Sequence, residues 1–321
     1  MKTTTKTLLS ALLFFSITVF AQRIDNTASF RDVKSNNYFR FNYDNDYFTA
    51  TDYYYTQGYN FELTSPWLRK NPLNPLFKKL KNSDQKYGLS IEHMGYTPTS
   101  ISSDAILYGD RPFAAAIMLK SFLVSTDTIH RTRLASALSI GIIGPGAFGD
   151  EMQTGIHEAI GDEVPMGWQH QIKNDLLFNY EVSHEKQLIR YANLVSLNSN
   201  AKLHLGTVNT KASAGLTSTF GKINSPFTAI KNKNRFQIYG YLQGLVSVIG
   251  YDASLQGGLF NRESPYTIND SDIERFTFQT NFGVIMQYKA LYLEYSRAEL
   301  TKEFSSGKMH KWGGIKIGFK L

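Results

Sequence analysis

The 321-residue chain is predicted to be all-β: a 12-stranded antiparallel transmembrane β-barrel with a short helix in an extracellular loop. Three observations predict it. The N-terminus carries an export signal, long stretches alternate apolar and polar residues with a period of two, and aromatics reach 14% of the chain against only 19% charged residues. After the export signal there is no apolar run long enough for a spanning helix, so a membrane would have to be crossed by strands. The absence of cysteine removes disulfide scaffolds, thiolate metal sites and cysteine nucleophiles together. The formal net charge of +7 includes Lys2 and Lys6 of the signal, and no Lys/Arg block is dense enough for a nucleic-acid tail, so no nucleic-acid partner is expected.

Taken in order, residues 1–21 read as a signal peptide. Lys2 and Lys6 form the basic region, Leu8 to Phe20 the apolar region, and Val19-Phe20-Ala21 the cleavage positions, leaving Gln22 as the mature N-terminus. Residues 22–321 then form one outer-membrane barrel domain, with no internal repeat and no low-complexity tract. The alternation is clearest where Phe276, Phe278, Phe282, Val284, Met286 and Tyr288 oppose Arg275, Thr277, Gln279, Asn281 and Gln287. It recurs where Leu197, Ala201, Leu203 and Leu205 oppose Ser196, Asn198, Asn200, Lys202 and His204. A lipid-facing strand needs this pattern, apolar outward and polar toward the lumen. Strands are expected near 37–45, 53–65, 86–97, 112–124, 132–144, 170–187, 190–206, 208–222, 235–251, 273–288, 290–303 and 308–320. An even number returns both termini to the periplasm. The closing strand carries Gly313, Ile315, Ile317, Phe319 and Leu321 on one face, ending in Leu where such barrels usually end in an aromatic. The connections 145–169 and 251–272 are long, whereas turns near 188–190, 206–208 and 288–290 are tight. A label added to intact cells is expected to reach the long connections and to miss 206–208 and 288–290.

Three polar segments fall at the tops of strands 1, 3 and 5, which places them on one extracellular rim. The first is Asp44-Asn45-Asp46-Tyr47-Phe48 with Tyr55-Thr56-Gln57-Gly58. The second is Tyr96-Thr97-Pro98 with Gly109-Asp110-Arg111-Pro112-Phe113. The third runs through Gly144-Pro145-Gly146, Gln153, His157, Glu163 and Gly167-Trp168-Gln169. Asp44, Asn45, Asp46 and Glu163 offer hard oxygen donors, the set for calcium or magnesium rather than zinc. A short helix over 149–161 puts Gln153 and His157 on one face, and a neutral imidazole there can activate water for ester hydrolysis. There is no Gly-x-Ser-x-Gly elbow, and His157-Glu158 lacks the second His of a zinc-protease helix.

Plainer readings compete. Asp and Asn between strands are turn formers. Arg111 either pairs with Asp110 or a lumen carboxylate, or binds a substrate phosphate. Pro98 and Pro112 can simply end strands, Trp168 reads as an interface aromatic, and His93, His170, His184 and His204 have no partner pattern.

In this order the segments resemble the outer-membrane lipid A 3'-O-deacylase family. The resemblance rests on Asn45-Asp46, Tyr55-Thr56-Gln57-Gly58, Tyr96-Thr97-Pro98, Asp110-Arg111-Pro112, Gly144-Pro145, Gln153, His157, Gly161, Glu163 and Trp168-Gln169, and is strongest over residues 37–180. It implies a calcium-dependent hydrolase that removes 3'-linked acyl chains from the lipid A of lipopolysaccharide, working at the extracellular side of the outer membrane. It carries active-site roles onto Asn45, Asp46, Thr56, His157 and Glu163, with His157 as the base. Asp44, Asp46 and Glu163 are the candidate metal ligands, and Arg111, Gln153 and Ser103 the candidate substrate contacts. One departure stands out: the family places a Lys shortly after Tyr-x-Pro, whereas Thr99 to Tyr108 contains none and Ser103 stands near that place. If that Lys holds a lipid A phosphate or the oxyanion, this chain would use Arg111 instead, prefer another lipid, or work slowly. The competing functions are a non-enzymatic barrel, as channel or structural protein, and a phospholipase, which would be expected to use a Ser–His pair.

Overall fold

Along Tyr38–Asn45 the buried residues are Tyr38, Arg40, Asn42 and Asp44, while Phe39, Phe41, Tyr43 and Asn45 are half-exposed. Further along the chain Gln237, Gln243, Thr277, Gln279 and Asn281 are buried, and Ile238, Leu242, Val246, Phe276 and Val284 are exposed. A water-soluble sheet would bury the opposite set. Polar side chains inside and apolar ones outside are stable only where the surrounding solvent is hydrocarbon.

The computed structural model describes residues 25–49, 53–228 and 236–321; the expected signal peptide lies outside them. The strands are β1 (Tyr38–Asn45), β2 (Tyr54–Thr64), β3 (Asp84–Thr97), β4 (Ala114–Asp127), β5 (Thr132–Ile143), β6 (Asp175–Tyr191), β7 (Val195–Gly206), β8 (Asn209–Lys222), β9 (Phe236–Asp252), β10 (Phe276–Tyr288), β11 (Leu291–Leu300) and β12 (His310–Lys320). Each pairs antiparallel with its sequence neighbours, and β12 closes the barrel on β1 from Tyr38↔Lys320 to Asn45↔Gly313. Two helices interrupt the loops, α1 (Gly149–Ile160) and α2 (Ala253–Gln256). No described helix is long and apolar enough to cross a membrane.

The expected twelve strands are therefore all present, with three local differences. β6 starts at Asp175 rather than near 170, because Trp168–His170 forms a 3-10 turn. The β6–β7 turn lies at 192–194, not 188–190. The tight turn at 207–208 also changes ends. Strand parity puts it beside the long connections 144–174 and 253–275, away from the termini, so a label reaching those connections would meet it too. A short turn does not by itself mark the end at which it lies.

The lumen is filled. Ahead of β1, the chain turns inward through a 3-10 turn at Ser29–Arg31. Ser29 N donates to Glu185 of β6 (2.7 Å), Arg31 Nε to Glu294 of β11 (2.8 Å), and Tyr239 of β9 donates to the Phe30 carbonyl (2.7 Å). Asp32 accepts from Lys86 of β3 (2.8 Å) and Arg133 of β5 (2.9 Å). A segment that touches five strands around the circumference must lie inside them. Toward the loop end, Tyr55, Met94, Met118, Leu177, Leu300 and Trp312 form an apolar cluster. Buried charges in the plug are thus paired and hydrogen-bonded, as burial of charge demands.

Candidate active site

At the loop end, β5 hands over to α1 through two constrained glycines. Gly144 has φ +103°, and a Cβ there would lie 2.6 Å from the backbone at 173–174. At Gly149, the first residue of α1, a Cβ would come within 2.4 Å of the Ala115 Cβ. Ala115 shares its row on β4 with Ile117 and with Leu119, which is 49% exposed to the lipid side. Ala115 therefore faces outward, as does Gly95, its partner on β3. These two small residues leave a shallow seat on the outer wall, and α1 rests in it. Trp168 completes the joint, 1% exposed and packed with Phe113, Ala115 and Ala147. Its reading as an interface aromatic is corrected: the indole is buried between wall and loop.

Four residues of the predicted motifs, Asn45, Thr56, Gln153 and Trp168, meet at this joint. A bulge in β2 between Tyr55 and Gln57 re-aims Thr56. Asn45 Nδ2 donates to the Thr56 carbonyl (2.6 Å), and Gln153 Nε2 donates to Thr56 Oγ1 (3.2 Å). Trp168 Nε1 donates to Gln153 Oε1 (2.8 Å); an indole can only donate, so this contact sets the orientation of the Gln153 amide. The result is one continuous chain from β1 through β2 and α1 to the turn at 168.

His157 lies one turn beyond Gln153 on α1. Its Nδ1 is 2.5 Å from the Glu163 carbonyl oxygen. A carbonyl can only accept, so Nδ1 carries a hydrogen, and in the neutral ring the lone pair is on Nε2, the tautomer a general base requires. Glu163 thus meets His157 through its backbone, and its own side chain is exposed. Asp46 is buried at the head of the 3-10 turn Asp46–Thr49, just after Asn45, whose Oδ1 accepts from Tyr47 N (2.7 Å).

Other expected contacts lie elsewhere. Asp44 shares the lumen-facing row of β1 and sits 3.6 Å from Lys316, whereas β1 ends at Asn45 and Asp46 belongs to the 3-10 turn that follows. Arg111 is buried inside the barrel mouth, paired with Glu303, donating to Ser254 Oγ (2.6 Å) and stacked 4.2 Å over Tyr96. Of the carboxylates expected to pair with Arg111, the structure shows Glu303 rather than Asp110 as partner. Asp110 instead accepts from Thr99 N (2.9 Å). Ser103 is half-buried and caps a turn at Ala105 N (3.2 Å). Next to it the Asp104 carbonyl accepts from Gln169 (3.1 Å) and His170 (2.9 Å), which ties the 98–113 loop to the segment after α1. Among the described residues, no three His, Asp or Glu side chains are gathered closely enough to hold a metal ion by themselves. His93, to which the sequence assigns nothing, sits within 2.9 Å of the Ala147 carbonyl and supports the turn leading into α1. Nothing in its local pattern signals this, since its partner lies 54 residues away.

The family model for outer membrane protein LpxR matches residues 8–321. Among solved structures, LpxR from Salmonella typhimurium is similar at a TM-score of 0.72 and 18% identity, over 88% of this chain and 100% of that one. At that identity the likeness shows the fold. The β domain of the Bordetella autotransporter BrkA (TM-score 0.48, 9% identity, 89% of this chain and 99% of that one) is too distant to add to it. No curated protein sequence matches the chain.

Proposed function

The chain belongs to the LpxR outer membrane protein family, and from that premise we propose that it is an outer-membrane ester hydrolase that removes 3'-linked acyl chains from lipid A. The observation that carries this reading is His157, whose Nδ1 donates to the Glu163 carbonyl and leaves Nε2 free of that contact, on a helix docked against the outer wall. A site on the outer wall suits a substrate whose acyl chains remain in the bilayer while its ester bonds lie near the headgroup. We assign the loop end to the cell exterior, which follows from the even strand number and the two termini sharing the other end.

In this mechanism His157 Nε2 takes a proton from water as the water oxygen attacks the acyl carbonyl. The tetrahedral intermediate collapses by breaking the bond to the sugar oxygen, and the imidazolium returns its proton to that oxygen. The products are a fatty acid and a free hydroxyl, and the histidine is regenerated. Asn45, Thr56 and Gln153 position the helix that carries the base. Asp46, completed by backbone carbonyls, amide oxygens and water, would hold a calcium ion, a shell this cation accepts readily. Such an ion would supply positive charge to the developing oxyanion. Asp44 is not part of that set, because it faces Lys316 in the lumen.

The filled lumen weighs against a passive channel, and the docked His157 has no serine hydroxyl bonded to its ring among the described residues, which weighs against a Ser–His phospholipase. The deciding experiment is mass spectrometry of lipid A from cells with and without the protein, beside thin-layer analysis of phospholipids. Loss of 3'-linked acyl chains is expected; unchanged lipid A with trimmed phospholipids would replace this reading with the phospholipase.

A further inference from the structure

The β2–β3 connection, 65–83, lies at the end that carries the termini and does not hang free. Asn71 Nδ2 donates to Ser121 Oγ (3.0 Å), Leu80 N to Ser125 Oγ (3.0 Å), Ser136 Oγ to the Lys78 carbonyl (2.9 Å) and Tyr180 OH to the Leu76 carbonyl (2.8 Å). Ser121 and Ser125 belong to the same row of β4 as lipid-facing Leu119, and Ser136 to the row of β5 that carries exposed Ile140. These serines point outward, yet all three are buried. The connection therefore wraps over the outside of the barrel at its rim and covers hydroxyls that hydrocarbon would leave unsatisfied.

Its chemistry suits that place. Leu68 and Phe77 anchor it to the wall, whereas Trp67 (61%) and Leu76 (56%) are exposed, although both are apolar. Between Glu62 and Asp84 there is no acidic residue, while Arg69, Lys70, Lys78, Lys79 and Lys81 are all exposed. None of these five has an ion-pair partner among the described residues. Exposed Trp beside clustered cations on a segment pressed to a membrane wall is the pattern of an interfacial anchor.

We propose that the 65–83 connection is a headgroup-binding anchor for anionic phospholipid in the leaflet at the terminal end. Leaflet identity rests on that end facing the periplasm, as assigned above; the lipid contact itself does not. The anchor fixes the depth and tilt of β2–β6, the strands whose opposite ends seat α1, so it links lipid at one face to the site at the other.

The test uses the purified full chain, titrated with phosphatidylglycerol or phosphatidylcholine and read by native mass spectrometry. The wild type is expected to bind phosphatidylglycerol at least about fivefold more tightly, and a K78Q/K79Q/K81Q variant to lose that preference. These side chains are exposed, and retained heat-modifiable mobility would confirm that the variant still folds. Trp67 is the exposed tryptophan, Trp168 and Trp312 being buried, so brominated phosphatidylglycerol in vesicles should quench the emission of wild type more than of Trp67→Phe. Equal affinity for the two lipids, or a preference that survives the triple substitution, overturns the proposal. The leaflet is read separately. The chain has no cysteine, so a single Lys79→Cys can be challenged with an impermeant maleimide on intact cells. No labelling is expected, and labelling would overturn the leaflet assignment irrespective of lipid preference.

Discussion

Replacing Gln153 by Met removes the middle of the chain that docks α1, with little change in side-chain volume. Two bonds disappear, 2.8 Å from Trp168 Nε1 and 3.2 Å to Thr56 Oγ1. The Thr56 hydroxyl only loses a hydrogen donated to its oxygen, and its own proton can still rotate to another acceptor. The indole N–H cannot, because Trp168 is locked between Phe113, Ala115 and Ala147, and an orphaned buried donor costs about 1–3 kcal/mol. About 2 kcal/mol corresponds to roughly a 30-fold shift against the docked helix at 25 °C, by the same exponential scale that makes 1.4 kcal/mol tenfold. His157 sits one turn further along this helix, and a misplacement of the order of 1 Å can cost about 10²-fold in rate. Lipid A deacylation measured by mass spectrometry should therefore fall at least about tenfold in Gln153→Met. The barrel itself should keep its heat-modifiable mobility, since α1 contributes nothing to strand pairing. Trp168→Phe, which leaves one acceptor rather than one donor orphaned, should lose less. Wild-type deacylation in Gln153→Met would refute the claim that this chain positions the base.

Three further outcomes follow from the same geometry. His157→Ala should lose most deacylation, on the order of 10²–10⁴ for a general base, while His170→Ala, which only ties the 98–113 loop through the Asp104 carbonyl, should lose far less; equal trimming of lipid A by both variants would move the base elsewhere. Activity should vanish with a calcium-selective chelator and return with Ca²⁺, and Asp46→Asn should raise the Ca²⁺ required whereas Asp44→Asn should not; full activity in excess chelator would remove the cation. Asp32→Ala strands Lys86 and Arg133 in the lumen and should lower stability to urea by about 3–5 kcal/mol, read by loss of heat-modifiable mobility. Burial works against the charge of Asp32, but Lys86, Arg133 and Lys34 hold its carboxyl well below the usual range. Its contribution is present above the unfolded value and is lost only as pH falls through the depressed one, so the gap between wild type and variant should persist through mildly acid pH and narrow in strong acid.

Part of this joint was legible because its residues come in short ordered motifs: Asn45, Thr56, Gln153 and Trp168 are linked by hydrogen bonds, with His157 one turn further along α1. Their division of labour was not. The hydrogen bonds from Asn45 and Gln153 to Thr56 depend on a β2 bulge that adds no unusual residue to the sequence, and Glu163 contributes a carbonyl that every residue has. The separation of Asp44 from Asp46 could not be read from strand parity, which puts residues two apart on one face: β1 ends at Asn45, and Asp46 enters a 3-10 turn instead of continuing the row of Arg40, Asn42 and Asp44. The same holds for Arg111: Ser254 and Glu303 lie 143 and 192 residues away, and only closure of the barrel brings them to it.

By itself the sequence determined the strand number, the alternation and the even parity, because a period of two is a local property and a slip of one residue would turn every polar side chain into lipid. It also determined the order of the motif residues and the helix that carries His157. Only the tertiary structure decided that α1, which carries His157, docks on the outer wall rather than over the lumen, that the N-terminal segment enters the barrel, and that the 65–83 connection wraps outside it. Each of these depends on which face of a closed sheet a loop packs against. That choice is made by small residues such as Gly95 and Ala115 and by hydroxyls such as Ser121 and Ser136, whose meaning appears only when the wall is assembled around them.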